Sequence, residues 1–400
     1  MWAYMLGVIL IPLMVYLLIA TTYQLFLAIS YFFTKEPVNR VSEKINKFAI
    51  IVPAHNEELL IEKFCECMKT IDYEMELFDI FIIADNCTDN TADIASTFKF
   101  NVLTRHDKSK IGKGYALEWA IERINLDDYD SILVLDADTT VKDTILNELN
   151  IMLNNGEHAI QCYIDVPNRD ESWFTRIIYL SRIINDLLYH SAKYKLYLSS
   201  YLMGTGMCFS TSLLKKMKWS AFTLSEDWEY YAKLIEKGYK VAFSSSAIIY
   251  QQESSNLKQA TSQRLRWASG RFYVVKNLGL KLFTTGLKNR NLQMFDASLA
   301  LLLPNWSLQI NLILLSLIMC VPIVDTRPGF YMLLISIVLI FTQGVIVLLG
   351  IYLTKKPLTV FKAVLLAPVF LVWKLMIDIL CITKIYKGKE WIRTKRHIPK

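Results

Sequence analysis

Charge is distributed along this chain in blocks. Residues 1–33 carry no charged side chain, and neither do residues 297–324 or 328–354. At about 1.5 Å per residue the first block makes a helix of about 50 Å, longer than one hydrocarbon core of about 30 Å and too short for two spans. It predicts one long membrane helix, with Pro12 as the place for a kink. It lacks the basic start and short apolar run of a cleaved signal peptide. The blocks 297–324 and 328–354 predict two further spans joined by the outer turn Asp325-Thr326-Arg327. A last apolar stretch, 358–383, is interrupted by Lys362, Pro368, Lys374 and Asp378. Each charge at a bilayer centre costs about 2.5–3.5 kcal/mol on insertion scales. The stretch therefore predicts an interfacial or re-entrant element, with a fourth helix carrying snorkelling lysines as the alternative.

Between about residue 48 and residue 295 the pattern changes to short apolar runs separated by amphipathic stretches. Strands are expected at 48–53, 77–84, 101–103, 131–135 and 158–164, with helices near 58–69, 91–98, from Gly114, and near 141–153. The helix from Gly114 has Ala116, Leu117, Ala120, Ile121 and Ile124 on one face. Continuous apolar strands between amphipathic helices predict an α/β domain with a mainly parallel sheet covered on both faces. The aromatic-rich stretch 173–197 predicts a packed amphipathic helix pair.

Composition agrees with a chain partly in lipid: 53% hydrophobic, 20% charged and a mean hydropathy of +0.29. The net charge is +7, and residues 384–400, with seven basic side chains and one acidic, supply +6 of it. A basic block after an apolar segment reads as a cytoplasmic flank drawn to anionic lipid, whereas a nucleic-acid binder spreads its charge along a groove. No nucleic-acid partner is expected. Lys35, Arg40, Lys44 and Lys47 follow the first helix, so the positive-inside rule puts the N-terminus outside and the domain in the cytoplasm. Residues 272–296, with Lys276, Lys281, Lys288 and Arg290, read as an amphipathic segment on the membrane surface. Seven cysteines without a CxxC spacing argue against disulfides and zinc. The five histidines lack ligand spacing.

In parallel sheets ligands bind beyond the carboxyl ends of strands, and here those ends are polar. The first is Pro53-Ala54-His55-Asn56-Glu57-Glu58, the second begins Ala84-Asp85-Asn86, and the fourth is Leu135-Asp136-Ala137-Asp138-Thr139. If the chain stays extended at the last, Asp136 and Asp138 point the same way, and paired hard carboxylates suit Mg²⁺ or Mn²⁺ shared with substrate phosphates. Taken alone, Asp138 or Thr139 reads better as a helix cap; three acidic strand ends together favour the cation. Gly112-Lys113-Gly114 opens a helix where backbone donors and a lysine could meet phosphate charge, a weak signal alone. No GxxxxGK[ST] or GxGxxG is present. Ser225-Glu226-Asp227 precedes a helix, where Asp227 is either a dipole partner or a proton acceptor. Gln263-Arg264-Leu265-Arg266-Trp267 and Arg271 could clamp a diphosphate and stack a sugar, or lie on the membrane.

The ordered set VPAHNEE, ADNCTDNTADIA, GKGYALEWA, LDADT, GTGMCFS, SEDWEYYAKL and QRLRW resembles the family 2 glycosyltransferases with a GT-A fold. Within them it is similar to the membrane-embedded, inverting synthases akin to cellulose, hyaluronan and poly-N-acetylglucosamine synthases. The resemblance runs from about residue 50 to 271, with weaker echoes at 368–374 and 391–396. It implies that Pro53, Glu57, Asp85, Lys113 and Asp136 hold the donor nucleotide, that Asp138 binds Mg²⁺ or Mn²⁺, and that Asp227 is the general base. It implies too that Gln263, Arg266, Trp267 and Glu226 serve the diphosphate and acceptor end, bordered by Gly204, Thr205 and Gly206. Ser225 stands where Thr is commoner in the family, and the membrane portion is smaller than in cellulose synthases, which puts an autonomous polymer channel in doubt. The expected activity is sugar transfer from a nucleotide sugar, taken to be UDP-linked, to a glycan or lipid-linked acceptor, with β-linked polysaccharide synthesis favoured over single transfer to a lipid. Membrane lipids and an export or polymer-assembly partner complete the expected partners. The alternative is an export component that binds a nucleotide sugar without catalysis; Lys374 and Asp378 support it, although an i, i+4 pair on one helix explains them more simply.

Overall fold

The computed structural model describes residues 2–37 and 44–384, so Arg40 and the basic tail after Lys384 lie outside the described residues. Helix α1 (Trp2–Phe33) leads into an α/β unit of β1 (Phe48–Ala54), α2 (Ile61–Met68), β2 (Phe78–Asp85), α3 (Thr91–Ser96), β3 (Asn101–Arg105), α4 (Lys113–Ile121) and β4 (Ser131–Val134). It continues with β5 (Thr139–Val141), α5 (Ile145–Asn154), β6 (Ala159–Asp165), α6 (Trp173–Ile183), α7 (Ala192–Lys195), β7 (Met207–Ser210), α8 (Thr211–Met217), α9 (Glu226–Glu236) and β8 (Ala242–Gln251). The eight strands form one sheet in the order β3-β2-β1-β4-β7-β6-β8-β5. The pairs β1–β2, β1–β4, β2–β3 and β6–β8 are parallel, while β7 runs antiparallel to β4 and β6, and β5 antiparallel to β8.

The buried strand β1 shows why both faces are covered. Successive side chains of a strand point to opposite faces, and Phe48, Ile50 and Val52 pack with α2 and α5 while Ala49 and Ile51 pack with α4, α8 and α9. The apolar face expected on α4 is buried from Ala116 to Ile121, together with Ile124 just beyond it.

Three local expectations are corrected. The helix expected from residue 141 starts at Ile145, because the β-branched run Thr139-Thr140-Val141 pairs with β8. Asp136 and Asp138 are not on extended chain: residues 137 and 138 form a turn, closed by Thr139 donating its N–H (3.1 Å) and its hydroxyl (2.7 Å) to the Asp136 carbonyl. Since a strand follows that turn, Asp138 and Thr139 do not cap a helix. Residues 173–195 make one continuous helical run, not a pair, with a π-helical middle from Ile184 to Ser191 and a turn at 196–197. No glycine or proline stands in that stretch to turn the chain.

Beyond the sheet come α10 (Leu257–Val274), a π turn, α11 (Leu280–Lys288), α12 (Leu292–Leu302), α13 (Trp306–Cys320), α14 (Arg327–Tyr352), α15 (Pro357–Val364) and α16 (Ala367–Lys384). Among the described residues three helices, Leu10–Phe33, Trp306–Ile323 and Arg327–Tyr352, are long and apolar enough to cross a membrane, and α15 and α16 form a pair bent by 61° that is either a broken span or a re-entrant loop. The second of these begins at Trp306 and not near residue 297. Pro304 interrupts the apolar run, and Asn305 caps the new helix by accepting the Leu308 N–H at 2.9 Å. The detached α12 docks on the α/β unit instead: its buried Asp296 lies 2.9 Å from Lys193 Nζ and accepts the Tyr23 hydroxyl of α1 at 2.5 Å.

Inside the α1, α13 and α14 bundle lies a closed amide layer. Gln24 donates to Gln309 (2.8 Å), Gln309 to the Thr21 hydroxyl (2.8 Å), Gln343 to Gln24 (3.1 Å), and the Trp306 indole to Gln343 (2.7 Å). On the far side of this layer Leu17, Ile313 and Leu339 pack together as an apolar cluster.

Candidate active site

A cavity of about 610 Å³ opens beyond the carboxyl ends of β1, β2 and β4 and reaches the break between α12 and α13. Its acidic end is built by tight turns. At the end of β1, Asn56 takes φ 55° and at the end of β2 Asn86 takes φ 51°, left-handed values that asparagine tolerates. The two turns are tied by His55 Nδ1 against the Asp85 carbonyl (2.6 Å) and by the Thr88 N–H donating to the Asn56 side chain (2.7 Å). Asp85 accepts from the guanidinium of the fully buried Arg105 at 2.6 Å. Burial raises the Asp85 pKa, and Arg105 opposes that shift.

The Gly112-Lys113-Gly114 turn has a mechanical basis. Gly112 has φ 129°, where a side chain is strained, and a Cβ on Gly114 would stand 2.1 Å from the Ala221 carbonyl oxygen. This close packing seats Lys113 at the start of α4, from where its ammonium bonds Asp136 and donates to the Gly204 carbonyl at 2.7 Å. Burial pulls the Lys113 pKa down, and Asp136, Glu226 and Asp227 more than offset it. Thr205 is buried and its hydroxyl accepts the Asp136 N–H at 3.1 Å, while Gly206 lies against Cys162, where a Cβ would come within 2.9 Å.

Beside this corner stand Glu226 and Asp227, in the first turn of α9. Asp227 Oδ1 accepts the Trp228 N–H at 2.8 Å, and a Cβ on Gly204 would lie 3.5 Å from Asp227 Oδ2. Burial raises the pKa of both carboxyls, and the charge of Glu226 raises Asp227 further. Helix α10 packs on this turn through Gly270 and lines the cavity with Arg264, Arg266, Trp267 and Arg271. Arg264 lies 4.5 Å over the Trp267 ring, and Arg271 lies 4.9 Å over Trp228.

Of the residues singled out in the sequence, Pro53, Glu57, Asp85, Lys113, Asp136, Asp138, Gly204, Glu226, Asp227, Arg266 and Trp267 line this one cavity. Thr205 and Gly206 support it from behind, and Gln263 is half-buried outside the lining. Arg182 and Tyr201 also line the cavity, Arg105 and Glu253 stand behind it, and none of the four carried a sequence signal. Among the described residues no group of three or more His, Cys, Asp or Glu side chains could hold a metal ion alone. The donor set at the Asp136–Asp138 turn does suit a hard divalent cation, which takes one or two carboxylates and completes its shell from substrate phosphates and water.

A family model described as "Glycosyltransferase like family 2" matches residues 46–270. The chain belongs to this family. It is 29% identical over 242 residues to the probable glycosyltransferase YdaM of Bacillus subtilis, covering 58% of this chain and 57% of that one. It is 24% identical over 229 residues to a beta-monoglucosyldiacylglycerol synthase of Nostoc sp., covering 56% and 48%. It is 27% identical over 256 residues to a poly-beta-1,6-N-acetyl-D-glucosamine synthase of Staphylococcus aureus, covering 60% and 58%. The chain thus spans about half to three fifths of the length of these relatives. Among solved structures it resembles the mannosyltransferase PcManGT of Pyrobaculum calidifontis, in complex with GDP-Man and Mn²⁺, with a TM-score of 0.58 and 16% identity over 85% of this chain and 98% of that one. The GT-A fold expected from the sequence is the fold observed.

Proposed function

We propose that this glycosyltransferase moves a sugar from a nucleotide-sugar donor, UDP-linked, to a glycan or lipid-linked acceptor with inversion of the anomeric centre. The reaction takes place at the cytoplasmic face of the cell membrane, with the N-terminus outside. The observation that carries the reading is that Asp227, buried at the start of α9, stands beside the Lys113–Asp136–Gly204 corner in the lining of one cavity.

In this reading Asp227 takes the proton from the acceptor hydroxyl as its oxygen bonds the anomeric carbon, and the bond to the diphosphate breaks on the opposite face. A single displacement inverts the centre and needs no second carboxylate as nucleophile. Pro53, Glu57 and Asp85 hold the nucleotide, with Asp136 beside it and Lys113 toward its phosphates. Arg266 faces the charge that develops on the leaving diphosphate. Trp267 offers a stacking face to the acceptor, Glu226 tunes Asp227, and Gly204, Thr205 and Gly206 border the acceptor. Mg²⁺ or Mn²⁺, held by Asp138 and the Asp136 turn, would supply charge neutralisation at the diphosphate. The domain from 48 to 271, the three membrane helices, the surface segment 272–296 and a bent element at 358–383 make up the proposed organisation, with polysaccharide assembly as the setting.

The test is a panel of nucleotide sugars with Mg²⁺ or Mn²⁺, incubated with membranes carrying the protein or its Asp227→Asn variant. Nucleoside diphosphate release from one donor that depends on Asp227 is expected. Equal release by the variant overturns the base assignment.

A further inference from the structure

The cavity has two ends of opposite charge. Carboxylates line the end at the strand termini, whereas at the membrane end Arg182 of α6, Arg264 of α10 and Lys374 of α16 line it. Each of these cations is mostly buried, with side-chain exposures of 17%, 17% and 14%. Their counter-ions stand behind them. Glu253 accepts from Arg182 (3.2 Å) and Arg264 (2.7 Å), Asp378 accepts from Lys374 (2.7 Å), and neither carboxylate lines the cavity. The same holds for buried Asp186, whose carboxyl accepts the Ile164 N–H at 3.2 Å and the Asn185 amide at 3.0 Å. Two guanidiniums share the single carboxylate of Glu253, and the buried Nε–H of Arg264 has no protein partner among the described residues.

The three helices are held together beside this wall. Phe174, Ala260, Phe370 and Trp373 form one cluster, and the Trp373 indole donates to the Thr261 hydroxyl at 3.1 Å. Phe370, Trp373 and Trp267 therefore place aromatic surface next to the cations. The lining contributed by the α1, α13 and α14 bundle extends no further than Tyr23, Ser307 and Ile346, at the level of the amide layer. Burying cations costs free energy unless an anion faces them, and guanidiniums match phosphate and carboxylate oxygens in pairs.

We infer that Arg182, Arg264 and Lys374 form an anion subsite at the membrane end of the cavity, which receives a phosphate or carboxylate group carried by the acceptor. The inference rests on the transferase reading above and names the chemistry of its acceptor. The anion has two sources, the headgroup of a membrane lipid or a soluble anionic acceptor.

The test is a binding measurement that needs no turnover. Full-length protein in a neutral maltoside detergent is titrated with short-chain phosphatidylglycerol, short-chain phosphatidylcholine or inorganic phosphate, with tryptophan fluorescence as the signal. Saturable binding of the anionic lipid at least about tenfold tighter than the zwitterionic one is expected. Arg182→Gln should weaken it about tenfold, and so should Lys374→Gln combined with Asp378→Asn, which leaves no unpaired buried charge. Arg182→Lys should retain it, which separates charge from folding. Competition by inorganic phosphate points to a subsite that reads the anion alone; its absence points to a lipid. Equal binding of both lipids overturns the subsite, and so does a parallel loss of UDP affinity in Arg182→Gln, which would assign these cations to the donor. The transferase reading fails separately, through Asp227-independent nucleotide release.

Discussion

Gly270 lies so close to Ser225 that a Cβ at position 270 would stand 2.2 Å from the Ser225 hydroxyl oxygen and 2.9 Å from its backbone nitrogen. This contact joins the helix carrying Arg266 and Trp267 to the turn carrying Glu226 and Asp227. Gly270→Ala must move one of them, and overpacking of this kind costs about 1–3 kcal/mol. The variant should melt lower and lose transfer activity more than donor affinity. Wild-type melting and kinetics together would show that the two elements are not locked.

Asp227→Asn keeps the shape of the site and removes the proton acceptor. Turnover should fall by a factor of about 10²–10⁴, while nucleotide affinity measured by calorimetry stays within about threefold of wild type, a shift worth under 1 kcal/mol. A comparable loss of both would make Asp227 a donor-binding residue.

The pH profile follows from the same pair. Burial, and then Glu226, lift Asp227 from the ordinary carboxylate range to about 8. The base works only when ionised, so activity should rise with pH through the neutral range. Glu226→Gln removes the neighbouring charge and should shift that rise to lower pH. Stability runs the other way, because a raised pKa means that the folded state holds a proton the unfolded state has released. Folding stability should decline as pH climbs from the unfolded carboxyl value of about 4 toward the raised one, and Asp227→Asn should flatten the decline.

Arg105 and Asp85 are both nearly inaccessible, at 2% and 9% side-chain exposure. Removing one partner of such a pair leaves an unmatched buried charge, at a cost of about 3–5 kcal/mol. Arg105→Met should therefore lower the melting temperature sharply and weaken UDP binding, and adding Asp85→Asn should recover most of the stability but not the binding. Recovery of both would remove Asp85 from the nucleotide site.

Chelation gives the last check. Nucleotide release should stop with EDTA and return with Mn²⁺ or Mg²⁺. Asp138→Ala should raise the metal concentration needed by about tenfold or more, since the turn then offers one carboxylate fewer. An unchanged requirement would move the ion elsewhere.

Strands β1, β2, β3, β4 and β6 were legible because each carries a short apolar run between amphipathic stretches, and the ends of β1, β2 and β4 were legible because acidic residues cluster there. Strands β5, β7 and β8 were not. Thr139-Thr140-Val141 abuts a helix, Met207–Ser210 is four residues long, and β8 carries three serines in sequence near its start; each is a strand because of its neighbour in the sheet. The motifs located most of the cavity lining, yet Arg105 sits among Thr104, His106, Asp107 and Lys108 and reads as surface. Only β3 pairing beside β2 brings it to Asp85. Likewise Glu253 lies 71 positions from Arg182, a separation that no local spacing rule crosses.

Asp296 ties three parts of the molecule at one point: α12, which it belongs to, Lys193 of the α/β unit, and Tyr23 of α1. Neither α1 nor the α/β unit can tilt or slide against the other without opening that joint. On the transferase reading proposed above, this joint keeps the reacting centre at a set distance from α1, like a tool on a short post, so the acceptor would be the part that travels to meet it.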